Sequence, residues 1–155
     1  MPQLDFRGPF LLLFALSQQQ GSLLQQAMAG APLQPSEFAV YSALRLMQPT
    51  TPTQLASTLG MRATTLSSAL VKMERRKHLR RRRNPADGRS VMLSLSSSGI
   101  RATESCFPTF GRAIQTFLRH LEVDQADLLR HLEAFSSALA EAAAELGSVG
   151  LDRPA

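Results

Sequence analysis

The chain has 155 residues, a length that suits one domain with a modest core, or a smaller domain plus elements that pair with a second copy. Its formal net charge is +5, but residues 72–89 carry nine Lys or Arg against two acids, so the rest of the chain sums to −2, a pattern typical of polyanion binding. The single cysteine excludes an internal disulfide and a thiolate metal cluster, and no run reaches the ~18 apolar residues that span a membrane, so we expect a cytoplasmic protein that contacts no membrane.

The first two predicted elements are helices. Residues 9–28 form the first, and its beginning is apolar on nearly every side, unlike a surface helix of a small monomer. It is therefore either deeply buried or packed against a partner chain. Ser36 can cap the second helix, which has Glu37 in its first turn and stops before Pro49. The apolar positions of this second helix are Phe38, Tyr41, Leu44 and Leu46.

A helix-turn-helix pattern follows. Thr51 can cap a third helix, Pro52 suits its first position, and Gln54 stands where a capping box needs Glu or Gln. Gly60 can supply the left-handed residue that ends this helix. A fourth helix is predicted over residues 63–77. Its apolar stripe consists of Leu66, Leu70 and Met73, and its opposite face near the start consists of Thr64, Thr65, Ser67 and Ser68.

A basic hairpin comes next. Arg80 to Arg83 lead into residues 84–88, which have the composition of a turn. Residues 91–95 then alternate between apolar and other side chains, as a half-buried returning strand does. The four arginines alternate in a strand, so two should face the DNA side and two the other. Helix, turn, helix and basic hairpin predict a winged helix-turn-helix, which is a DNA-binding design.

Two long helices complete the predicted chain. Residues 96–99 are a cap-like start to the first of them, and Pro108 lies inside it, where a kink or a break is expected. Asp124 and Asp127 mark the cap and the first turn of the second, which runs to Gly147. The apolar stripes are Ile100, Phe107, Phe110, Ile114, Phe117 and Leu121 in one helix, and Leu128, Leu132, Phe135, Leu139, Ala142 and Leu146 in the other.

The predicted fold is mainly α with a small β-hairpin wing: a winged helix-turn-helix flanked by long dimerisation helices. Terminal helices this apolar would leave a large exposed patch on a monomer, which favours two-fold pairing over an intramolecular bundle. We expect an N-terminal dimerisation helix at residues 9–30, a DNA-binding domain at residues 33–98, and C-terminal dimerisation helices at residues 99–147.

The sequence resembles the MarR family of bacterial transcription regulators. The matching segments are Leu33–Leu44, Pro52–Gly99 and the two long helices after them, and the most specific element is Asp87-Gly88-Arg89 followed by an alternating strand. The resemblance implies a triangular, six-helix winged-helix homodimer, with residues 63–77 as the recognition helix. It also implies a sequence-specific regulator, most often a repressor, that releases a palindromic double-stranded operator when a small ligand binds between the dimerisation helices and the winged module.

The polar and basic side chains of this module are the expected DNA contacts. Helical hydroxyls can reach base edges in a major groove, and hairpin cations can neutralise phosphates. Arg89, which resembles the family's wing arginine, can enter a narrow minor groove, and Asp87 could pair with it and hold its direction. The positive charge of Arg62 at the start of a helix is unfavourable against the helix dipole, and a nearby DNA phosphate would remove that penalty. The expected DNA-binding residues are Arg62, Thr64, Thr65, Ser67, Ser68, Lys72, Arg82, Asp87 and Arg89.

Two features leave alternatives open. Lys77 and His78 replace the family's usual helix-ending Gly-Leu, which puts the geometry of the first wing strand in doubt. The walls of a pocket for a small aromatic or apolar effector could include Phe14, Tyr41, Phe107 and Phe110, although a simple core position is the better-supported reading of each.

Other chemistry is less well supported by the sequence. Cys106 is read as a packing residue, because the sensing cysteines of redox-regulated relatives lie in the first helix. The three histidines are scattered over separate elements, so no metal, no cofactor and no catalytic set is expected, and an enzyme is the poorest hypothesis. The main alternative is a winged-helix protein acting through protein contacts or through non-specific nucleic-acid binding.

Overall fold

The computed structural model describes residues 8–149, which form seven helices and one two-stranded antiparallel sheet. The predicted fold class, mainly α with a β-hairpin wing, is confirmed. The elements are α1 Pro9–Ala27, α2 Pro35–Met47, α3 Pro52–Thr58, α4 Ala63–Arg75, β1 Leu79–Arg83, β2 Val91–Leu95, α5 Ser97–Glu104, α6 Phe107–Arg119 and α7 Gln125–Val149.

Local capping signals place several helix ends where the sequence predicts them. Thr51 Oγ1 accepts from the Gln54 N–H at 3.2 Å, and Gln54 Oε1 accepts from the Thr51 N–H at 3.1 Å, so both halves of the capping box of α3 are formed. Gly60, at φ 60°, follows the end of α3. Ser96 Oγ caps α5, and Asp124 Oδ1 accepts from two N–H groups at the start of α7. These starts and stops confirm the prediction.

The second helix departs from the prediction at two positions. It begins at Pro35 with Gln34 as its N-cap, so the expected Ser36 cap is wrong; proline suits the first helical position, and Glu37 reaches back to the Gln34 N–H at 3.3 Å. Leu46, predicted to be apolar core, is 87% exposed, whereas Val40 is 1% exposed. Phe38, Tyr41 and Leu44 are buried as predicted, so the buried face of α2 differs from the prediction only at Leu46 and Val40.

The predicted long helix after the wing is divided. Helix α5 ends at Glu104 and α6 begins at Phe107, so Pro108 is the second residue of a new helix. A proline is tolerated there because the first N–H groups of a helix have no intrahelical partner. The expected break is confirmed, and it lies just before the proline. The last helix, α7, continues past Gly147, where the prediction ended it, to Val149.

One core holds the winged module together. Helices α2, α3 and α4 and strand β2 each contribute a side chain that is at most 1% exposed: Leu44, Leu55, Leu66 and Leu93. Burying a leucine of this kind contributes about 2–3 kcal/mol. Strand β2 pairs with β1 along one edge, and on the other edge the Leu93 N–H donates to the Thr50 carbonyl at 2.7 Å. The wing is thereby fixed to the helix-turn-helix.

The chain divides into two compact units, one ending at Gln115 and the other beginning at Thr116. This boundary reflects packing and lies inside α6; the three functional segments predicted from the sequence stay a prediction. In the first unit, α1 has no buried side chain. Its large exposed apolar residues are Phe10, Leu11, Leu12, Phe14 and Leu16. Within residues 8–149, no helix is both long and apolar enough to cross a membrane.

Candidate nucleic-acid interface

Helix α4 is buried on one face and polar on the other. Leu66, Leu70 and Met73 are 1–3% exposed, which confirms the predicted stripe. The opposite face carries the exposed hydroxyl side chains Thr64, Thr65, Ser67 and Ser68. Ser68 Oγ donates to the carbonyl of Thr64 at 3.1 Å, so its proton is used within the helix and its oxygen is left to accept. This face can offer hydrogen bonds without disturbing the core.

The beginning of α4 has no acid to offset its partial positive charge. Arg62 is the N-cap, with φ −63° and ψ 143°, and its side chain makes no capping hydrogen bond. The first turn contains no acidic residue. Exposed N–H groups and the helix dipole at such an end attract anions. The exposed Arg62 side chain adds a full positive charge to the same end of the helix.

The end of α4 settles the geometry that the Lys77-His78 pair left open. The helix stops at Arg75, two residues earlier than predicted, and Lys77 adopts the left-handed conformation with φ 58°. The Lys77 N–H donates to the Glu74 carbonyl at 2.8 Å, and the His78 N–H donates to the Met73 carbonyl at 2.9 Å. These two bonds make a Schellman motif, in which lysine occupies the position that usually favours glycine.

The turn after α4 is clamped by the start of α5. The hydroxyls of Ser96 and Ser98 both donate to the Lys77 carbonyl, at 2.8 and 3.0 Å, and the Ser96 N–H donates to the His78 carbonyl at 2.9 Å. A Cβ added to Gly99 would collide with that same His78 carbonyl. The close approach requires glycine, and it joins the turn after α4 to α5 through the backbone.

Two ion pairs hold the last turn of α4 on opposite sides. Arg76 donates to Glu37 of α2 at 3.0 Å, while Glu74 pairs with Arg81 of β1. Burial acts to raise the pKa of Glu37, but hydrogen bonds from Arg76 and the Gln34 N–H, together with nearby positive charge, lower the pKa below its ordinary value. The first pair ties α4 to the core helix α2, and the second ties it to the wing.

Tyr41 and His78 add a polar contact beneath this turn. The Tyr41 hydroxyl and His78 Nδ1 lie 3.0 Å apart, and the two rings meet edge to face with centroids separated by 5.8 Å. Burial raises the pKa of Tyr41. Burial, and then the charge of Arg76, lower the pKa of His78, so the neutral imidazole is favoured. The tyrosine proton can then be donated to the ring nitrogen.

The four arginines of β1 are all exposed and alternate between the two faces of the hairpin. Arg81 and Arg83 stand opposite Leu93 and Val91 of the core face, whereas Arg80 and Arg82 stand opposite Ser94 and Met92. The two-and-two division that the sequence predicts is confirmed. Which face meets DNA stays a prediction.

The wing tip is built from side chains that bind the backbone. Asn84 Oδ1 accepts from the Ala86 N–H, and Asp87 Oδ1 accepts from the Arg89 N–H, each at 3.0 Å. Asn84 Nδ2 donates to Ser90 Oγ at 2.7 Å, which closes the loop. Asp87 thus holds Arg89 through its main chain, where the sequence suggested a side-chain pair. Within residues 8–149 the Arg89 guanidinium forms no ion pair, so it is open to an external anion.

Comparison with known proteins identifies this arrangement. Residues 31–90 match the family model described as MarR family. Over 122 residues the chain is 24% identical to the multiple antibiotic resistance protein MarR of Escherichia coli, covering 78% of this chain and 85% of that protein. Over residues 31–90, which hold the helix-turn-helix and most of the wing, the chain is similar to the MarR family.

Solved structures of two transcriptional regulators share the fold. The transcriptional regulator MOSR of M. tuberculosis, in complex with DNA, superimposes with a TM-score of 0.73 at 23% identity, covering 88% of this chain and 98% of that one. The transcriptional regulator PcaV of Streptomyces coelicolor, in complex with its natural ligand, gives a TM-score of 0.71 at 23% identity, covering 90% and 99%. Both likenesses confirm the winged-helix architecture of this chain.

The residues expected to line an effector pocket lie in different surroundings within residues 8–149. Phe107 and Phe110 pack around Phe38, with ring centroids 5.9 and 5.0 Å away, and Phe14 is 64% exposed on α1. Tyr41 instead borders a pocket of about 200 Å³ between α2 and α4, whose lining includes Glu37, Thr65, Lys72 and Arg76. Phe14 and Tyr41 therefore lie in different surroundings from the cluster of Phe38, Phe107 and Phe110.

Cys106 has the packing environment that the sequence predicts. It is 0% exposed, its Sγ lies 3.4 Å from the Ala102 carbonyl, and burial raises the pKa of the thiol. A protonated, inaccessible thiol is a poor nucleophile.

Sequence reasoning missed the two ion pairs of α4. In the sequence, Glu37 has a role only in the first turn of α2, and Glu74 contributes only to the charge balance. Their partners Arg76 and Arg81 lie 39 and 7 residues away, and no local pattern predicts such pairs. The excess of arginine in β1 was the one available signal that an acid would be needed nearby.

Proposed function

We propose that this chain is a MarR-family transcription regulator, that it forms a homodimer that binds a palindromic double-stranded operator, and that it is a repressor released by a small ligand. The observation that carries the proposal is the hydroxyl face of α4 beside a wing whose tip is held by side-chain-to-backbone hydrogen bonds and whose Arg89 guanidinium is open. Thr64, Thr65, Ser67 and Ser68 would read the major groove, and Arg89 would enter the adjacent minor groove. The complex of the related MOSR with DNA supports this assignment.

Phosphate contacts would come from the edges of the same surface. Arg62 stands at the start of α4 with no capping bond, Lys72 is exposed on its last turns, and Arg82 lies on the outer face of the hairpin. Asp87 would act by holding the wing tip, since its carboxylate is engaged by the Arg89 N–H. Such contacts position the protein on DNA and supply most of its salt dependence.

The exposed apolar helices support the homodimer. Five large apolar side chains of α1 are at least 45% exposed, with Phe10 at 71% and Phe14 at 64%, and exposed apolar patches are typical of protein interfaces. Helix α7 similarly exposes Leu132, Leu139 and Leu146. Pairing through residues 9–30 and 99–147 would cover these side chains and fix the distance between two recognition helices.

Release by a ligand is supported by the complex of the related PcaV with its natural ligand. An effector can act only by favouring a separation of the recognition helices that no longer matches successive major grooves. Of the expected wall residues, Phe107 and Phe110 lie together beside Phe38, which makes that aromatic cluster the first place to look for a small aromatic or apolar effector.

A DNA titration tests the proposal directly. The protein is titrated with its own upstream DNA and with random duplex at several salt concentrations. We expect Arg89→Ala to weaken operator binding by about 5- to 150-fold, the equivalent of about 1–3 kcal/mol, because a guanidinium contact is lost. Arg130→Ala, which removes the same charge from α7, is the control. Equal, steeply salt-dependent binding to both duplexes would favour a non-specific binder, and binding to neither would refute the proposal.

The oligomeric state is tested separately by light scattering. Phe10→Ser and Phe14→Ser together should shift the protein from dimer to monomer, because polar side chains would replace the apolar contact surface. Leu46→Ser alters an equally exposed apolar residue outside α1 and should leave the dimer intact. A wild-type monomer at micromolar concentration would contradict the homodimer.

A further inference from the structure

We propose that Glu74 sets the salt-dependent affinity of the DNA interface: by pairing with Arg81 it withholds one cation per protomer from DNA phosphates. The inference rests on the proposed function, because it concerns how that DNA surface is tuned.

Glu74 is the one acid of α4, and it lies in the helix's last turn, facing the wing. Its carboxylate pairs with the Nε of Arg81 in β1, and the two side chains are 42% and 39% exposed. Within residues 8–149, the neighbouring Arg80, Arg82 and Arg83 have no ion pair. One arginine of the run is thus singled out and neutralised at the surface where α4 meets the wing.

The free energy of folding gains too little from such an exposed ion pair to account for it. Ion pairs between side chains this exposed contribute about 0–1 kcal/mol, because water screens the charges and two long side chains lose rotational freedom. The electrostatic consequence is larger. A paired carboxylate and guanidinium are together neutral toward a phosphate, so Arg81 can displace a counterion from DNA only by leaving Glu74.

The pair therefore changes affinity and leaves selectivity unchanged. A contact with a phosphate carries no sequence information, so an additional one strengthens binding to every duplex alike. Neutralising Arg81 weakens binding to operator and to random duplex by the same factor, and it makes both less sensitive to salt. The hydroxyl face of α4 and Arg89 still read the site.

Four variants and the wild type test the proposal on random duplex and on operator. Glu74→Gln frees Arg81 and keeps the shape of the side chain. Arg81→Gln removes the cation, and the double variant removes both. Glu104→Gln is the matched control, since it breaks the Arg45–Glu104 pair, which is 2.8 Å long and has 33% and 46% exposed side chains, away from the wing.

The salt dependence of binding is the measured quantity. One additional phosphate contact steepens the plot of log K against log salt by about 0.9, or about 1.8 for the two protomers of a dimer. Glu74→Gln should therefore lose about 12-fold more affinity for random duplex than wild type between about 50 and 200 mM salt. At the lower salt it should bind random duplex and operator more tightly by a similar factor, so its operator preference should match that of wild type. Glu104→Gln should match wild type.

The double variant separates the pair from a general repulsion of DNA by Glu74. If Arg81 is the withheld cation, Glu74→Gln/Arg81→Gln returns to the wild-type slope, and Arg81→Gln alone has that slope too. An unchanged slope in Glu74→Gln, or a steep slope that persists in the double variant, would overturn the inference. Wild-type protein that binds no duplex would overturn the proposed function as well, so the two failures are distinct.

Discussion

Lys77 stands in a backbone conformation that lysine adopts only at a cost, and replacing it with glycine should stabilise the protein. Its φ of 58° is fixed by the Schellman bonds of the Lys77 and His78 N–H groups and by two serine hydroxyls on its carbonyl. A left-handed residue with a Cβ costs about 1–2 kcal/mol. Ordering glycine costs about 0.5–1 kcal/mol more than ordering a residue with a Cβ, because glycine has more freedom in the unfolded chain, and this offsets part of the relieved strain.

The net gain expected for Lys77→Gly is about 0.5–1 kcal/mol. For a chain of this length, that corresponds to a rise in Tm of about 1–4 °C. Thermal unfolding followed by circular dichroism measures it, with all variants at one protomer concentration because a dimer's Tm depends on concentration.

Two controls isolate the backbone effect. Lys77→Ala removes the same charge from the basic block but keeps a Cβ, so it should show no comparable gain. Arg75→Gly places glycine inside α4, at its last helical residue, and should destabilise by up to about 1 kcal/mol. If Lys77→Ala stabilised as much as Lys77→Gly, relief of charge repulsion would be the cause and the reasoning from φ would be refuted.

Three further predictions follow from burial, close packing and protonation. Leu44→Ala should destabilise by about 2–5 kcal/mol in denaturant unfolding, because Leu44 is 0% exposed. Leu46→Ala, at a residue that is 87% exposed, should be nearly neutral. Similar losses of stability in the two variants would contradict the observed orientation of α2. Gly99→Ala should destabilise by about 1–3 kcal/mol in the same assay, since its Cβ meets the His78 backbone; an unchanged midpoint would show that the clamp can relax. The lowered pKa of His78 means that the folded protein binds fewer protons than the unfolded chain below pH 6.5, so its stability falls as the pH falls there. The Tm advantage of wild type over His78→Gln should therefore shrink between about pH 8 and pH 5.5. A constant difference in Tm would refute the assignment.

The sequence by itself determined the elements whose signals are local. The capping box of Thr51 and Gln54, the Ser96 cap and the stripe that includes Leu66 each act within one or two turns, and each formed as predicted. The composition of the wing, with Arg89 at its tip, was readable for the same reason, since a turn is made by neighbouring residues. The resemblance to the MarR family added the roles of these elements.

Tertiary structure decided the rest, because it depends on which surfaces meet. Helix α2 is buried on more than one side, so Val40 enters the core, whereas Leu46 faces outward. Whether lysine can end α4 depends on the bonds that hold Lys77 at positive φ, two of which come from the start of α5. The partner of Arg76 lies 39 residues away in sequence, and no local pattern specifies such a pair. Propensity and capping act between neighbours, but ion pairs and burial are settled only when distant segments pack.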